Sequence, residues 1–145
     1  MTSVAGEVLA RVGGRSRALQ FQALVGWVFV ALAVYNVAWS ARAKIMLSPF
    51  YVREWGRIGY DVSTLAPMAY LQLGFVVLYL IPRTSLLGMI LLTGYFGGAI
   101  ASYVRIGEPF PFPLMTCLFF WAGLWLRDER LRTMLPLRGR DSLEN

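Results

Sequence analysis

Apolar residues run almost unbroken over four stretches, about 19–43, 65–81, 86–104 and 110–126, and polar residues collect in the segments between and around them. A helix needs roughly 20 apolar residues to cross a hydrocarbon core of about 30 Å. The first and third runs reach that length. The second and fourth are short and depend on snorkelling flanks, local thinning or irregular ends. The pattern therefore predicts an all-α, polytopic membrane protein, an antiparallel four-helix transmembrane bundle over 19–126. A cytoplasmic segment, 1–18, precedes it and a basic cytoplasmic tail, 127–145, follows.

The breaks between runs have local causes. Ser63 or Thr64 is placed to cap the second helix, with Pro67 in its first turn, where a missing N–H does little harm. Pro82-Arg83-Thr84-Ser85 has room only for a tight helical hairpin, so the second and third helices should lie antiparallel and adjacent. Pro109, Pro111 and Pro113 alternate with Phe110 and Phe112, which predicts an extended lead-in and a last helix starting near Pro113.

Composition agrees with a bilayer as solvent. Hydrophobic residues make up 57% of the chain and charged residues 15%, more apolar than an ordinary soluble domain. Arg11, Arg15, Arg17, Arg83, Arg127, Arg130, Arg132, Arg138 and Arg140 on one side outnumber Arg42, Lys44, Arg53, Arg57 and Arg105 on the other. The positive-inside rule then puts both termini in the cytoplasm. Ala41-Arg42-Ala43 has the form of a signal cleavage site, but the apolar run before it is long for a signal peptide, so an uncleaved first helix is expected. The net charge of +6 sits mostly beside helix ends, where orientation and anionic headgroups account for it; the expected partner is the lipid bilayer and not nucleic acid. Cys117, the one cysteine, has no partner for an internal disulfide and reads as a small hydrophobe.

Polar and small residues inside the runs supply the candidate sites. On the first helix Gln22, Gly26, Phe29, Ala33, Asn36 and Ser40 share one stripe at about 100° per residue and should face other helices, since lipid offers no hydrogen-bond partners. Gly94, Gly97, Gly98 and Ala101 on the third form a small-residue face, read as the packing hub of the bundle or as a dimer contact. Gln72 lies deep in the second helix as an uncharged amide able to bond across the bundle. Arg105 and Glu108 are placed to pair with each other or with the first loop. That loop, 46–61, interleaves Phe50, Tyr51, Trp55 and Tyr60 with charges, as either an aromatic belt or a lid over a pocket, and is able to form a short helix on the membrane. The ligand-pocket candidates are Asn36, Gln72, Tyr95, Tyr103 and Arg105.

With no histidine and one cysteine, the chain by itself lacks the ligands for bis-histidine haem, an iron–sulfur cluster or a Cys/His zinc site, and it carries no phosphate-cradling glycine loop or dinucleotide fingerprint. No intrinsic cofactor, metal site or catalytic residue is expected. Electron transfer would require a bound quinone or a redox partner protein.

The chain resembles the DoxX-like membrane proteins in the order and spacing of Lys44-Ile45, Gly59-Tyr60, Ile81-Pro82-Arg83, Leu92-Thr93-Gly94-Tyr95-Phe96-Gly97-Gly98-Ala99, Val104-Arg105-Ile106-Gly107-Glu108-Pro109, Gly123-Leu124-Trp125-Leu126-Arg127-Asp128 and Leu135-Pro136-Leu137-Arg138. The resemblance implies a four-helix bundle in a bacterial cytoplasmic membrane and brings a link, through one branch, to thiosulfate:quinone oxidoreductase. Members often carry a glutamate where this chain has Gln72 and a histidine where it has Tyr103. Shared fold does not transfer a reaction. The expected role is a non-enzymatic accessory or assembly subunit. The alternatives are a membrane subunit of a quinone-linked oxidoreductase, with quinone near Asn36, Gln72, Tyr95 and Tyr103, and a small-solute or lipid-binding protein that forms homo-oligomers.

Overall fold

The computed structural model describes the backbone of residues 2–128 and 131, and side chains from residue 20 onward. The arginines expected to orient the N-terminal segment (Arg11, Arg15, Arg17), the tail arginines beyond Arg127, and the Leu135–Arg138 motif lie outside the residues so described.

Among the described residues the regular structure is helical throughout, with five α-helices where four were expected. They are α1 (Thr2–Ile45), α2 (Pro49–Ile58), α3 (Leu65–Leu80), α4 (Ser85–Arg105) and α5 (Pro111–Arg127), with a 3₁₀ turn at Val62–Thr64 leading into α3. Three spans are long and apolar enough to cross a membrane: Gln20–Ile45, Val62–Leu80 and Ser85–Arg105. At 17 residues α5 is shorter, about 25 Å from end to end. The first helix is not confined to its apolar run, since α1 continues unbroken back to Thr2.

The additional helix, α2, lies in the aromatic first loop. Ser48 precedes it, Pro49 opens it where a missing N–H costs nothing, and Gly59 at φ 86 ends it in a conformation that disfavours any side chain. Thr64 occupies the N-cap position of α3 but makes no side-chain cap there; the side-chain cap belongs to the 3₁₀ turn and comes from Asp61. The Asp61 carboxylate accepts the Ser63 backbone N–H at 2.8 Å, while Thr64 turns its hydroxyl back to Asp61 O at 2.7 Å. The α3–α4 connection is the expected tight turn, closed by Thr84 Oγ1 donating to Leu78 O at 2.8 Å. The last helix begins at Pro111, not near Pro113. Both prolines fall in its first turn, where the backbone N–H groups have no acceptor in the helix, so neither delays the start.

Helices α1, α3, α4 and α5 pack in that cyclic order, each against two neighbours, and α2 rests on α1 and the 3₁₀ turn at one end. Val30, Ala33, Val37, Tyr79, Met89, Leu92 and Phe120 form the buried centre. Tyr79 donates its hydroxyl to Phe120 O at 2.9 Å, and the two rings meet edge to face with centroids 4.9 Å apart. Phe21, Leu24, Leu32, Leu87 and Ile90 are among many large apolar residues left on the outside, where lipid is a better solvent than water.

Two expectations about helix faces change. The buried stripe of α1 is Gly26, Val30, Ala33, Val37, Ala41 and Lys44, a face that keeps Gly26 and Ala33 but leaves Gln22 and Asn36 largely exposed. The glycine face of α4 is not the packing hub within the chain. A side chain at Gly94, Gly97 or Gly98 would meet nothing within 4 Å, and Ala101 is exposed. The buried face of α4 is Ser85, Gly88, Met89, Leu92 and Phe96, and the glycines lie on other sides of the same helix. Close approach occurs elsewhere. A Cβ at Gly88 would stand 2.3 Å from Tyr79 N, one at Gly26 would stand 2.9 Å from Leu126 Cβ, and one at Gly123 would stand 3.1 Å from Gly26 O.

Candidate functional site

The last inward turn of α1 carries a charge. Lys44 follows Ala33, Val37 and Ala41 on the buried stripe, is only 6% exposed, and lies in the final turn, where the helix dipole favours a cation. The small residues below it let α3 approach closely enough for Gln72 to meet the ammonium. Lys44 Nζ donates to Gln72 Oε1 at 2.8 Å and to Tyr95 Oη at 3.0 Å, and Tyr95 in turn donates its proton to Gln72 Oε1 at 2.7 Å. Gln72, 2% exposed, completes its valences by donating Nε2 to Val37 O at 3.1 Å. The amide is thus fixed from both ends, its oxygen toward the cation.

Helix α2 roofs this group. Tyr51 and Trp55 lie four apart and so share one helical face. Lys44 Nζ stands 5.6 Å from each of their ring centroids, within cation–π range. The roof is tied down by Tyr51 Oη donating to Ser40 Oγ at 2.9 Å and Trp55 Nε1 donating to Thr64 Oγ1 at 2.8 Å. At its far end Arg57 bridges Glu54 at 2.7 Å and also pairs with Glu108, while Arg105 donates to Ile58 O. The hydrogen bond with Glu54, then the charge of Glu108, holds the Arg57 guanidinium above its ordinary pKa. Hydrogen bonds from the Ser63 side chain and then its backbone hold the Asp61 carboxyl below its own.

Beneath the roof is a cavity of about 320 Å³ lined by Asn36, Lys44, Trp55, Gln72, Tyr95 and Tyr103, with Phe96, Phe112 and Thr116 among its other walls. A groove of about 400 Å³ between α1 and α5 adjoins it, and Asn36, Phe112 and Thr116 line both. At that shared wall Thr116 Oγ1 donates to Asn36 Oδ1 at 3.3 Å. The two ion pairs among the described residues both belong to Arg57, so none of the described carboxylates pairs with Lys44. The chamber therefore presents a cation and oriented hydroxyls inside aromatic walls. That set can hold an oxygen-bearing group.

Of the candidates read from sequence, Asn36, Gln72, Tyr95 and Tyr103 line this cavity together. Arg105 does not; it fastens the end of α2, and Glu108 likewise pairs with the first loop through Arg57. Tyr51 and Trp55, read as part of either an aromatic belt or a lid, also line the cavity, whereas Lys44 and Thr116 were missed as pocket residues. A signal for Lys44 was present, since its spacing from Ala33, Val37 and Ala41 continues a small-residue stripe on one helical face.

The architecture and site define a small helical membrane protein with a partly open, mainly apolar cavity that one lysine enters. The chain belongs to the DoxX-like family, whose model matches residues 9–123 and so takes in every wall of the cavity. Neither characterised proteins nor solved structures gave a match to the chain.

Proposed function

We propose that the protein is a non-enzymatic membrane protein that holds a small, largely apolar molecule in the cavity beneath α2. The carrying observation is the buried Lys44, fixed by Gln72 and Tyr95 against a chamber whose volume is at the lower end of the roughly 300–1,000 Å³ typical of small-molecule sites. Trp39 and Trp55 line that chamber. Titrating the purified protein with a brominated alkyl alcohol tests the reading. Saturable quenching that is diminished in Trp55→Phe is expected, whereas quenching that rises linearly and equally in both proteins would refute it.

In this reading α1, α3, α4 and α5 all cross the bilayer as a four-helix bundle, with α2 at the outer surface and both termini in the cytoplasm of a bacterial cell. Kinship supports the bundle and the bacterial inner membrane. The packing of α5 against both α1 and α4 supports a fourth crossing despite its length. Burial of Lys44 supports the orientation, because a charge counted with the outer headgroups is enclosed instead, which widens the imbalance of basic residues. Reporter fusions at either end should show cytoplasmic termini.

A second reading, an accessory or assembly subunit, is supported by the α4 glycine face, where none of the described residues would lie within 4 Å of a side chain at Gly94, Gly97 or Gly98. Gly94→Leu with Gly98→Leu should then abolish association with a redox partner or a second copy. A quinone-linked role draws on kinship alone. Equal quinone reduction by membranes with and without the protein would remove it.

A further inference from the structure

The chamber has a property that the binding of any apolar molecule would not require. Its one ionised wall residue is a lysine more than nine-tenths buried, and its partners are a neutral amide, a phenol and two aromatic rings of α2. An ammonium has three donors, and two of them have acceptors here. A cation held away from water is stabilised best by an opposite charge, and hydrogen bonds to an ionised acceptor are the strong ones. The nearest acidic residue on the roof, Glu54, is engaged by Arg57. The described residues thus offer the cation a place but no counter-charge.

Geometry extends from that point in one direction. The groove between α1 and α5 shares Asn36, Phe112 and Thr116 with the cavity as walls, its other walls include Leu32, Met115 and Phe119, and a chain reaching it from the cavity parts the Thr116–Asn36 contact. A charged head at Lys44 would leave an apolar tail lying along that groove, facing lipid on its open side.

Resting on the cavity as the binding site, we propose that its ligand is a single-chain amphiphile with a carboxylate head, such as a fatty acid, the head bound by the third N–H of Lys44 and the tail in the α1–α5 groove. One ammonium matches one negative charge. The chamber volume suits one head and the start of one chain, not the branched head and paired chains of a phospholipid. Gln72 acts as a positioning residue that aims the ammonium, and α2 supplies the rings that exclude water above it.

The test uses the full chain in discs of zwitterionic lipid and three probes of equal chain length: laurate, lauryl alcohol and lauryltrimethylammonium. Laurate is expected to bind roughly tenfold or more tighter than the alcohol, the quaternary amine weakest, and the laurate advantage to vanish in Lys44→Met while alcohol binding persists. Gln72→Glu places a carboxylate against Lys44 without changing side-chain size, and it should likewise remove laurate binding and spare the alcohol, so the test survives if Lys44→Met fails to fold. Equal binding of acid and alcohol, or an advantage that outlasts both substitutions, overturns the carboxylate assignment and leaves the cavity reading intact. Binding of no probe overturns the cavity reading itself. Displacement of laurate by phosphatidylglycerol as effectively as by unlabelled laurate overturns the single-chain assignment.

Discussion

Lys44 on α1 and Gln72 on α3, 28 residues apart, meet through a 2.8 Å hydrogen bond between the ammonium and the amide oxygen at the enclosed end of the helix ring. The bond gives an apolar helix interior a direction. The amide's other end is held by Val37 O, so the oxygen has no alternative partner to turn toward.

Gln72→Leu removes an acceptor from a buried cation and leaves Val37 O and Tyr95 without their partner. The expected loss is about 1–3 kcal/mol of stability, seen as a lower unfolding temperature in detergent. Gln72→Glu should go the other way, raising the temperature by pairing the charge. A Gln72→Leu protein as stable as the parent would mean that Lys44 is solvated in the membrane-embedded protein.

Helix contact should depend on glycines other than the exposed ones. Gly88→Ala pushes a methyl against the Tyr79 backbone, which cannot swing aside, and should cost about 1–3 kcal/mol or more. Gly94→Ala and Gly98→Ala have open space and should leave monomer stability within about 1 kcal/mol of the parent. Chemical unfolding of each purified variant distinguishes the two sets.

At the opposite end from Lys44, Arg127 donates to Tyr79 O at 3.2 Å and lies over the rings of Trp27 and Tyr79. Tyr79→Phe keeps the ring and loses the hydroxyl's bond to Phe120 O, with an expected cost of about 0.5–1.5 kcal/mol by the same unfolding measurement.

The roof is expected to control access. With Cys117 replaced by serine, a cysteine introduced by Lys44→Cys should react slowly with a membrane-impermeant maleimide, and faster when Trp55→Ala removes both the ring above it and the bond to Thr64. Reaction only from the cytoplasmic face would contradict the proposed orientation.

The helical runs and the α3–α4 turn were legible because each rests on local features, apolar length and a Pro82-led break. The face each helix turns inward was not. Gly94 and Gly98 look like an interface in any sequence, but Met89, Leu92 and Phe96 fill more volume and won the interior. The polar positions Asn36, Gln72, Tyr95 and Tyr103 stood out because hydroxyls and amides are rare in apolar runs. Lys44 did not, because a lysine at a helix end ordinarily faces headgroups. Only the fold of α2 back over that end encloses it, and that is a relation between distant segments. Proline positions misled at α5 for a related reason: Pro111 and Pro113 break a helix in its middle but are harmless in its first turn.

The most direct measurement of the central claim is mass spectrometry of the protein isolated in mild detergent from native membranes, beside its Lys44→Met variant. The account predicts a small molecule bound in stoichiometric amount to the parent chain and lost from the variant. Recovery of ordinary membrane lipids alone, in equal amounts from both, would contradict it.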